Sequence, residues 1–194
     1  RSRLSDGVRG LREPLFRDVA CLASCEATVV SGGPEGSLID RTVFYPEGGG
    51  QPGDLGKLFL AGGGEIAIVD ARKGGGRDEV LHIPAEDSTL PAPGAKVTAE
   101  IDWERRHRLM RMHTLMHLLC AVVEGDVTGG QVGDGKGRLD FNLPDTNLDK
   151  EAIGQALNRL VEEDHAVAPR WISDAELEQR PELVRTMSVK PPSG

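Results

Sequence analysis

Short apolar runs broken by glycine and proline fill the first half of the chain, from about Cys25 to Ile101. Runs of this kind predict strands joined by turns, because alternating or short continuous apolar stretches suit a sheet. The predicted strands cover residues 27–30, 37–44, 57–60, 65–69, 79–83 and 96–101. Six short strands favour either a small β-barrel or a β-sandwich.

The apolar period becomes helical after Asp102 and remains so until Gly125, without an intervening proline or glycine. The positions that recur at helical spacing are Leu109, His113, Met116, His117 and Cys120. One long helix is therefore predicted here. The change of period also marks a boundary, and we divide the chain into domains 1–102 and 103–194.

An apolar stripe predicts a second helix over residues 148–164, with Thr146 or Asn147 as its N-cap. The stripe consists of Ile153, Ala156, Leu157, Leu160 and Val161. The other predicted elements are strands at 137–143 and 166–172 and a short helix that begins at Ser173 or Asp174. Helices and strands in this mixture make the second half α+β.

The net charge of −8 argues against a protein that coats nucleic acid, because such proteins rely on clustered Lys and Arg. A local basic cluster does exist in the predicted long helix, directly before its histidine pair. The cluster consists of Arg105, Arg106, Arg108 and Arg111, with His107 among them. It is either a nucleic-acid-binding patch or a solvated helix face.

No apolar run approaches the roughly 20 residues of a membrane span, and the first residues lack the apolar stretch of a signal peptide. We therefore expect a cytoplasmic protein that does not associate with membranes. The cysteines, Cys21, Cys25 and Cys120, are an odd and sparse set. They indicate reduced thiols rather than a disulfide framework.

His113 and His117 are separated by one turn of the predicted helix, so their imidazoles lie on the same side of it. Two imidazoles in this arrangement can bind one metal ion. Thr114 occupies the position where a metalloprotease helix carries its general base, which excludes that protease class. The alternative is a pair of ordinary histidines on a half-buried helix face.

A zinc ion at this pair would need further ligands, because protein zinc sites usually have at least three. Cys120 shares the helix face, but its short side chain does not reach past a full turn, and we interpret it as core packing. Cys21 and Cys25 offer an alternative Cys2His2 site together with the histidine pair. A cysteine that directly precedes a strand, however, more often packs as a small apolar residue than binds a metal ion.

A glycine-rich segment, RTVFYPEGGGQPGDLG, covers residues 41–56. Glycine permits backbone conformations that other residues avoid, and it lets a ligand approach the main chain closely. The segment is not a phosphate-binding P-loop, because no Gly-Lys-Ser/Thr follows the glycines. A long hairpin turn is the alternative interpretation.

Three segments together, FYPEGGGQPGDLG, IDWERRHRLMRMHTLMHLL and GKGRLDF, resemble the editing domain of alanyl-tRNA synthetase and its free-standing relatives, the AlaX-type editing proteins. The resemblance spans residues 15–187 and keeps the order and spacing of the three motifs. It implies an N-terminal small antiparallel β-barrel that carries the GGGQ motif. An α+β domain of the type found in the editing domains of threonyl- and alanyl-tRNA synthetases is implied to follow it.

The resemblance also implies an activity, that of a zinc-dependent aminoacyl-tRNA deacylase that removes serine or glycine from mischarged tRNA(Ala). His113 and His117 fall on the family's first two zinc ligands, and Gln51 falls on a position of the editing pocket. Thr128 lies where some members sense the hydroxyl of serine. Zinc suits this chemistry because it polarises an ester carbonyl and activates water. A non-catalytic tRNA-binding or zinc-clamped module on the same fold is the alternative.

The family's remaining zinc ligands come from a Cys-x-x-x-His motif near the end of the editing domain. No cysteine or histidine follows His165 in this sequence. We therefore expect these ligands in a longer chain, beyond Gly194. Because the first residue is Arg1 rather than Met, we also expect residues upstream.

Overall fold

The computed structural model describes residues 12–145, 147–168 and 171–184. Within these ranges the chain forms two compact units. The first unit combines the chain up to Gly48 with Pro52–Arg106, and the second combines Gly49–Gln51 with the chain from His107 onward. The glycine-rich segment is therefore divided, since its tip belongs to the second unit and its two arms belong to the first.

The described chain contains ten strands and three α-helices. The strands are Glu13–Pro14 (β1), Ser24–Gly33 (β2), Gly36–Ile39 (β3), Arg41–Thr42 (β4), Gly56–Leu60 (β5), Glu65–Lys73 (β6), Val80–Pro84 (β7), Lys96–Ile101 (β8), Asp126–Val132 (β9) and Gly137–Asn142 (β10). The helices are Trp103–Val122 (α1), Lys150–Glu162 (α2) and Asp174–Gln179 (α3), and short 3-10 helices cover Leu15–Arg17 and Pro181–Leu183. None of the helices in the described ranges is long and apolar enough to cross a membrane.

Six of the strands close into an antiparallel barrel in the order β2-β3-β7-β6-β5-β8. β2 closes the barrel because its first half pairs with β8 and its second half pairs with β3. Closure leaves no barrel strand with an open edge. Of the two architectures that the strand pattern allowed, the barrel is confirmed and the sandwich is wrong.

The strand predicted over residues 37–44 is shorter than expected, because it ends at Ile39 and the chain resumes after Asp40 as the two-residue strand β4. Asp40 breaks the strand through two contacts with Thr28. Its carboxylate accepts a hydrogen bond from the Thr28 N–H at 2.7 Å, and its own N–H donates to the Thr28 carbonyl at 3.0 Å. A polar side chain that bonds to nearby backbone in this way competes with a regular ladder.

The barrel interior is apolar and closely filled. The side chains of β6 alternate, with Ile66 and Ile68 buried and the residues between and before them exposed. Phe44, Leu58 and Ala99 have no exposed surface. Full burial of a leucine or phenylalanine contributes about 1.5–3 kcal/mol, so this interior is the main source of the barrel's stability.

The second unit is built on α1 and the β9–β10 hairpin. Its buried cluster consists of Leu109 and Met116 on α1 and Val132 on β9, with Met112 and Leu139 packed against them. Gly137 on β10 permits the close approach of the hairpin to the helix, since a Cβ at this position would lie 2.7 Å from the sulfur of Met116. This core is much smaller than that of the barrel.

The sequence pattern does not predict β9. Its sequence, DVTGGQV, contains two adjacent glycines, which normally indicate a turn. Pairing with β10 overrides this preference, but the register shifts between Asp140 and Phe141, and Thr128 stands opposite no residue of β10. A bulge of this kind bends a strand locally and redirects its side chains.

Both long helices predicted for the second half are confirmed, as α1 and α2, but the predicted cap of α2 is wrong. The N-cap is Asp149, whose carboxylate accepts hydrogen bonds from the N–H groups of Glu151 and Ala152 at 3.0 Å each. A carboxylate at this position also interacts favourably with the helix dipole. Asn147 lies outside the helix, and Thr146 lies outside the described residues.

The strand predicted over residues 166–172 is wrong wherever the structure describes this segment. Val167 and Trp171 are 75% and 78% exposed, so no buried apolar face favours a strand. Pro169 also lacks the N–H group that a ladder requires. The short helix predicted after this segment is confirmed as α3, with Ser173 as its N-cap.

Candidate active site

His113 and His117 lie one turn apart on α1. Their rings stack, with centroids 5.0 Å apart and planes inclined by 14°. His113 is half-buried, whereas His117 is exposed. Burial lowers the pKa of His113 below its ordinary value of 6.5, and charge on His117 lowers it further. His113 is therefore neutral at physiological pH, with one ring nitrogen that carries no proton.

Gln51 fixes the ring of His113. Its amide oxygen lies 2.9 Å from Nδ1 of His113, and the whole residue is 4% exposed. An amide oxygen accepts hydrogen bonds and does not donate them, so in this pairing Nδ1 carries the proton and Nε2 keeps its lone pair. The second nitrogen is thereby prepared to bind a metal ion or to accept a proton.

The tip of the glycine-rich segment carries Gln51. Gly49 and Gly50 have φ angles of 59° and 78°, in the left-handed region that favours glycine. The carbonyl of Gly50 accepts a hydrogen bond from the Val132 N–H at 2.7 Å. A Cβ at Gly50 would lie 2.8 Å from the carbonyl oxygen of Gly130, so a larger residue would push the tip away from β9.

Thr128 lies on the bulge of β9 and is exposed. Its hydroxyl donates a hydrogen bond to the carbonyl of Asp140 at 3.1 Å. The neighbouring Gly129 also faces Asp140, since a Cβ there would lie 2.9 Å from its carboxylate. The structure thus joins Gln51 to His113 directly, while the role of Thr128 stays a prediction.

The two imidazoles fit as two ligands of a zinc ion, because Gln51 holds one of them in the tautomer that metal binding requires. Among the residues that the structure describes, no group of three or more His, Cys, Asp or Glu side chains could hold a metal ion. The alternative site of Cys21, Cys25 and the histidine pair stays a prediction. Cys120 is half-buried on the same helix.

The arginine cluster of α1 divides into buried and exposed members, so it is not a uniformly solvated face, and nucleic-acid binding by its exposed members stays a prediction. Arg106 is 3% exposed and pairs with the carboxylate of Asp54 in the first unit. Arg108 is exposed, and its Nε and Nη2 donate to the carboxylate of Asp134 at 2.7 and 2.9 Å. Arg111 is exposed as well and lies two positions before His113.

Asp54 and Arg106 are the residues near the glycine-rich segment that sequence reasoning missed. A carboxylate among glycines, as in GGGQPGD, suggests that the carboxylate has a specific partner, but this signal is weak. That partner lies 52 positions later in the chain, and no periodicity links the two residues. Sequence reasoning instead assigned Arg106 to a surface cluster.

The chain is similar to proteins that charge or edit alanine tRNA. Residues 20–105 match the family described as tRNA synthetases class II (A). An alanyl-tRNA editing protein, AlaX-M, of Methanosarcina acetivorans is 35% identical over 159 residues, which cover 78% of this chain and 65% of that protein. The AlaX-M protein of Saccharolobus solfataricus is 28% identical over 186 residues, covering 94% of this chain and 78% of the relative. An alanine–tRNA ligase of Metallosphaera sedula is 39% identical over 153 residues, covering 74% of this chain and 16% of the ligase.

These similarities confirm the resemblance seen in the motifs, because the chain is similar both to AlaX-type alanyl-tRNA editing proteins and to a part of alanine–tRNA ligases. Its closed barrel with helices is the α+β fold of the synthetase editing type. The chain spans less than two thirds of the length of the Methanosarcina relatives that it matches.

Proposed function

We propose that this protein hydrolyses the ester bond of mischarged tRNA(Ala), removing serine or glycine, with zinc bound by His113 and His117. The hydrogen bond between Gln51 and His113 carries the proposal, because it prepares one imidazole nitrogen as a ligand beside a second histidine. The relatives named alanyl-tRNA editing proteins support this choice of substrate. We place the activity in the cytoplasm.

Hydrolysis of an activated ester requires only a positioned water and a polarised carbonyl. Zinc, when bound, would supply Lewis acidity towards both of these groups. Gln51 holds the ring of His113 in one orientation and one tautomer. Burial keeps the pKa of His113 low, so that its Nε2 stays unprotonated at neutral pH. Gln51 therefore acts as a positioning residue in this proposal.

Thr128 is the candidate for recognising serine. Its hydroxyl donates to the Asp140 carbonyl, and a hydroxyl is a group that can recognise the hydroxyl of a substrate by hydrogen bonding. Alanine lacks that hydroxyl, and a site that demands one rejects substrates that leave a polar group unpaired. Glycine lacks the hydroxyl as well, so it would have to be accepted by its small size alone. Exposure of Thr128 on the bulge keeps it accessible to a substrate.

Arg111 is the candidate for contact with the tRNA backbone. It is exposed on α1 two positions before His113, and phosphate binding depends on such accessible cations. Arg108 also lies on this helix, but the carboxylate of Asp134 already occupies its guanidinium. Because the net charge of the chain is −8, we expect tRNA binding to be weak.

The decisive test is the combined substitution His113→Ala with His117→Ala, assayed on seryl-, glycyl- and alanyl-tRNA(Ala). We expect deacylation of the first two substrates to fall by more than about 100-fold, since even outer partners of a metal site are worth about 10- to 100-fold. Circular dichroism should show the same fold. His165→Ala is the matched control, because this histidine is exposed and its ring pairs only with Glu163 among the contacts shown.

Two results would contradict the proposal. Full activity in the double variant, or after thorough chelation, would remove the histidine pair and zinc from the mechanism. Binding of tRNA without hydrolysis by the intact protein, together with no zinc by elemental analysis, would favour the non-catalytic module instead.

A further inference from the structure

A buried ion pair lies at the base of the glycine-rich segment, within the first unit. Asp54 is 1% exposed and Arg106 is 3% exposed. Nε of Arg106 lies 3.0 and 2.9 Å from the two carboxylate oxygens of Asp54, and its Nη2 donates to the Val43 carbonyl at 2.8 Å. Burial raises the pKa of Asp54, and the adjacent guanidinium opposes this effect. Because two apolar residues would often be at least as stable here, a buried ion pair suggests a purpose other than stability.

Asp54 joins the two arms of the segment. Its Oδ2 accepts a hydrogen bond from the Tyr45 N–H at 2.7 Å, and its own N–H donates to the Tyr45 carbonyl at 3.0 Å. The guanidinium of Arg106 lies 5.6 Å from the centre of the Tyr45 ring. Tyr45, Asp54 and Arg106, which we call the clamp, therefore hold the two ends of the segment side by side.

Side chains also hold the arms close to the tip. The hydroxyl of Tyr45 donates to the Gly48 carbonyl at 2.9 Å, and Nη1 of Arg105 donates to the Gly53 carbonyl at 2.9 Å. These two carbonyls flank the stretch that contains Gln51. The same tyrosine thus connects the clamp to the last residue before the tip.

The barrel wall restrains the arms a second time. The N–H of Glu47 donates to the Ala71 carbonyl on β6 at 2.9 Å. A Cβ at Gly53 would lie 2.1 Å from the same oxygen, so this glycine is pressed against the strand. Contacts within the first unit therefore hold the residues on both sides of Gly49–Gln51, while the tip makes its own contacts through the Gly50 carbonyl and the Gln51 amide.

We infer that the clamp is a positioning device for Gln51. Gln51 lies three positions after Gly48 and three before Asp54, so fixing those residues limits where its amide can reach. Loosening the clamp would let the amide leave His113 while both histidines stay in place. The effect on catalysis rests on the proposed function, whereas the effect on the loop does not.

Two variants test the inference with different risks to the fold. Tyr45→Phe removes only the hydroxyl that holds Gly48, and Asp54→Asn removes the charge opposite Arg106. We expect amide hydrogen exchange at Gly49–Gln51 to become about tenfold faster, and kcat on seryl-tRNA(Ala) to fall about tenfold with KM nearly unchanged. Asp40→Asn is the matched control, since its carboxylate also accepts a backbone hydrogen bond in the first unit.

The results of this test distinguish a failure of the clamp inference from a failure of the proposed function. Unchanged exchange at the tip in Tyr45→Phe overturns the inference even if Asp54→Asn does not fold. Faster exchange with unchanged kcat overturns it too, because Gln51 would then need no positioning. An inactive unmodified protein overturns the proposed function, and the exchange measurement alone then decides whether the clamp holds the tip.

Discussion

The barrel and the second unit differ in how completely they bury apolar side chains. Phe44 and Leu58 are fully enclosed in the barrel, and every barrel strand is paired on both edges. Among the described residues, the second unit buries Leu109, Met116, Val123, Val127 and Val132, and α2 has no buried residue. The barrel supplies its own stability, while the second unit carries the candidate chemistry on a small core.

The histidines repeat this contrast. His82 in the barrel is fully buried and uses both ring nitrogens: Nδ1 lies 3.0 Å from the Ser37 carbonyl and Nε2 lies 2.8 Å from the Thr42 hydroxyl. The Ser37 carbonyl can only accept, so Nδ1 carries the proton and Nε2 accepts from the Thr42 hydroxyl, which also accepts the Phe44 N–H at 3.0 Å. Among the residues that the structure describes, His113 has a hydrogen bond only at Nδ1. A histidine with both nitrogens engaged is structural, and one with an available nitrogen can react.

Substitution in the barrel core should give the largest loss of stability. Leu58→Ala is expected to reduce the free energy of unfolding by about 2–5 kcal/mol, because it leaves a cavity in a closed interior. Urea unfolding followed by the fluorescence of Trp103 measures this loss, since Trp103 packs against the barrel core. Trp171 is 78% exposed and should be replaced by Phe in the background protein.

Leu157→Ala on α2 is the matched change in the second unit. Leu157 is half-buried on a helix without buried residues, so its truncation should cost less than about 1 kcal/mol. Equal losses for Leu58→Ala and Leu157→Ala would show that the two units are packed alike. That result would contradict the difference in packing between the barrel and the second unit.

Acid should destabilise the barrel through His82, by somewhat less than the Leu58→Ala substitution does. Burial lowers the pKa of His82 from its ordinary value of 6.5 to about 4. The unfolded chain therefore takes up the proton first as pH falls, and the stability present above pH 6.5 is lost progressively towards pH 4. A shift of this size corresponds to roughly 3 kcal/mol.

His82→Gln separates this effect from the titration of other groups. Glutamine stays neutral, so the difference in unfolding free energy between pH 7 and pH 4.5 should shrink in the variant, whatever its stability at pH 7. An acid-induced loss as large as in the unmodified protein would show that His82 does not control the pH response. No such barrel effect is expected from His165→Ala, since His165 is exposed.

The strands of the barrel could be predicted because the sequence signals that indicate them are local. Apolar alternation and glycine or proline turns indicate each strand without reference to a partner. The failures occur where a particular contact overrides the local preference. Asp40 leaves its strand to bond with Thr28, and β9 forms despite two glycines because β10 pairs with it.

The candidate site could be predicted only in part, for the same reason. His113 and His117 share one helix, so their spacing is sufficient to bring them together. The contact between Gln51 and His113 joins residues 62 positions apart and was not predicted, because the family resemblance assigned both residues to the site without pairing them. The ion pair of Asp54 and Arg106 has neither a periodic signal nor a motif of its own, and only the fold reveals it.

Substitution of the N-cap of α2 should have the smallest effect on stability and should give the clearest contrast between the units. Asp149→Ala removes the acceptor for two backbone N–H groups and should cost about 1 kcal/mol of local helix stability. α2 has 13 residues, close to the length at which an isolated helix is marginal, and no buried side chain compensates for a lost cap. Hydrogen exchange in α2 should therefore become faster while the barrel unfolds at the same urea concentration. Asp145→Ala is the control, because the carboxylate of Asp145 accepts the Asn147 N–H outside the helix. An equal shift of the barrel's unfolding midpoint would mean that α2 and the barrel unfold as one cooperative unit.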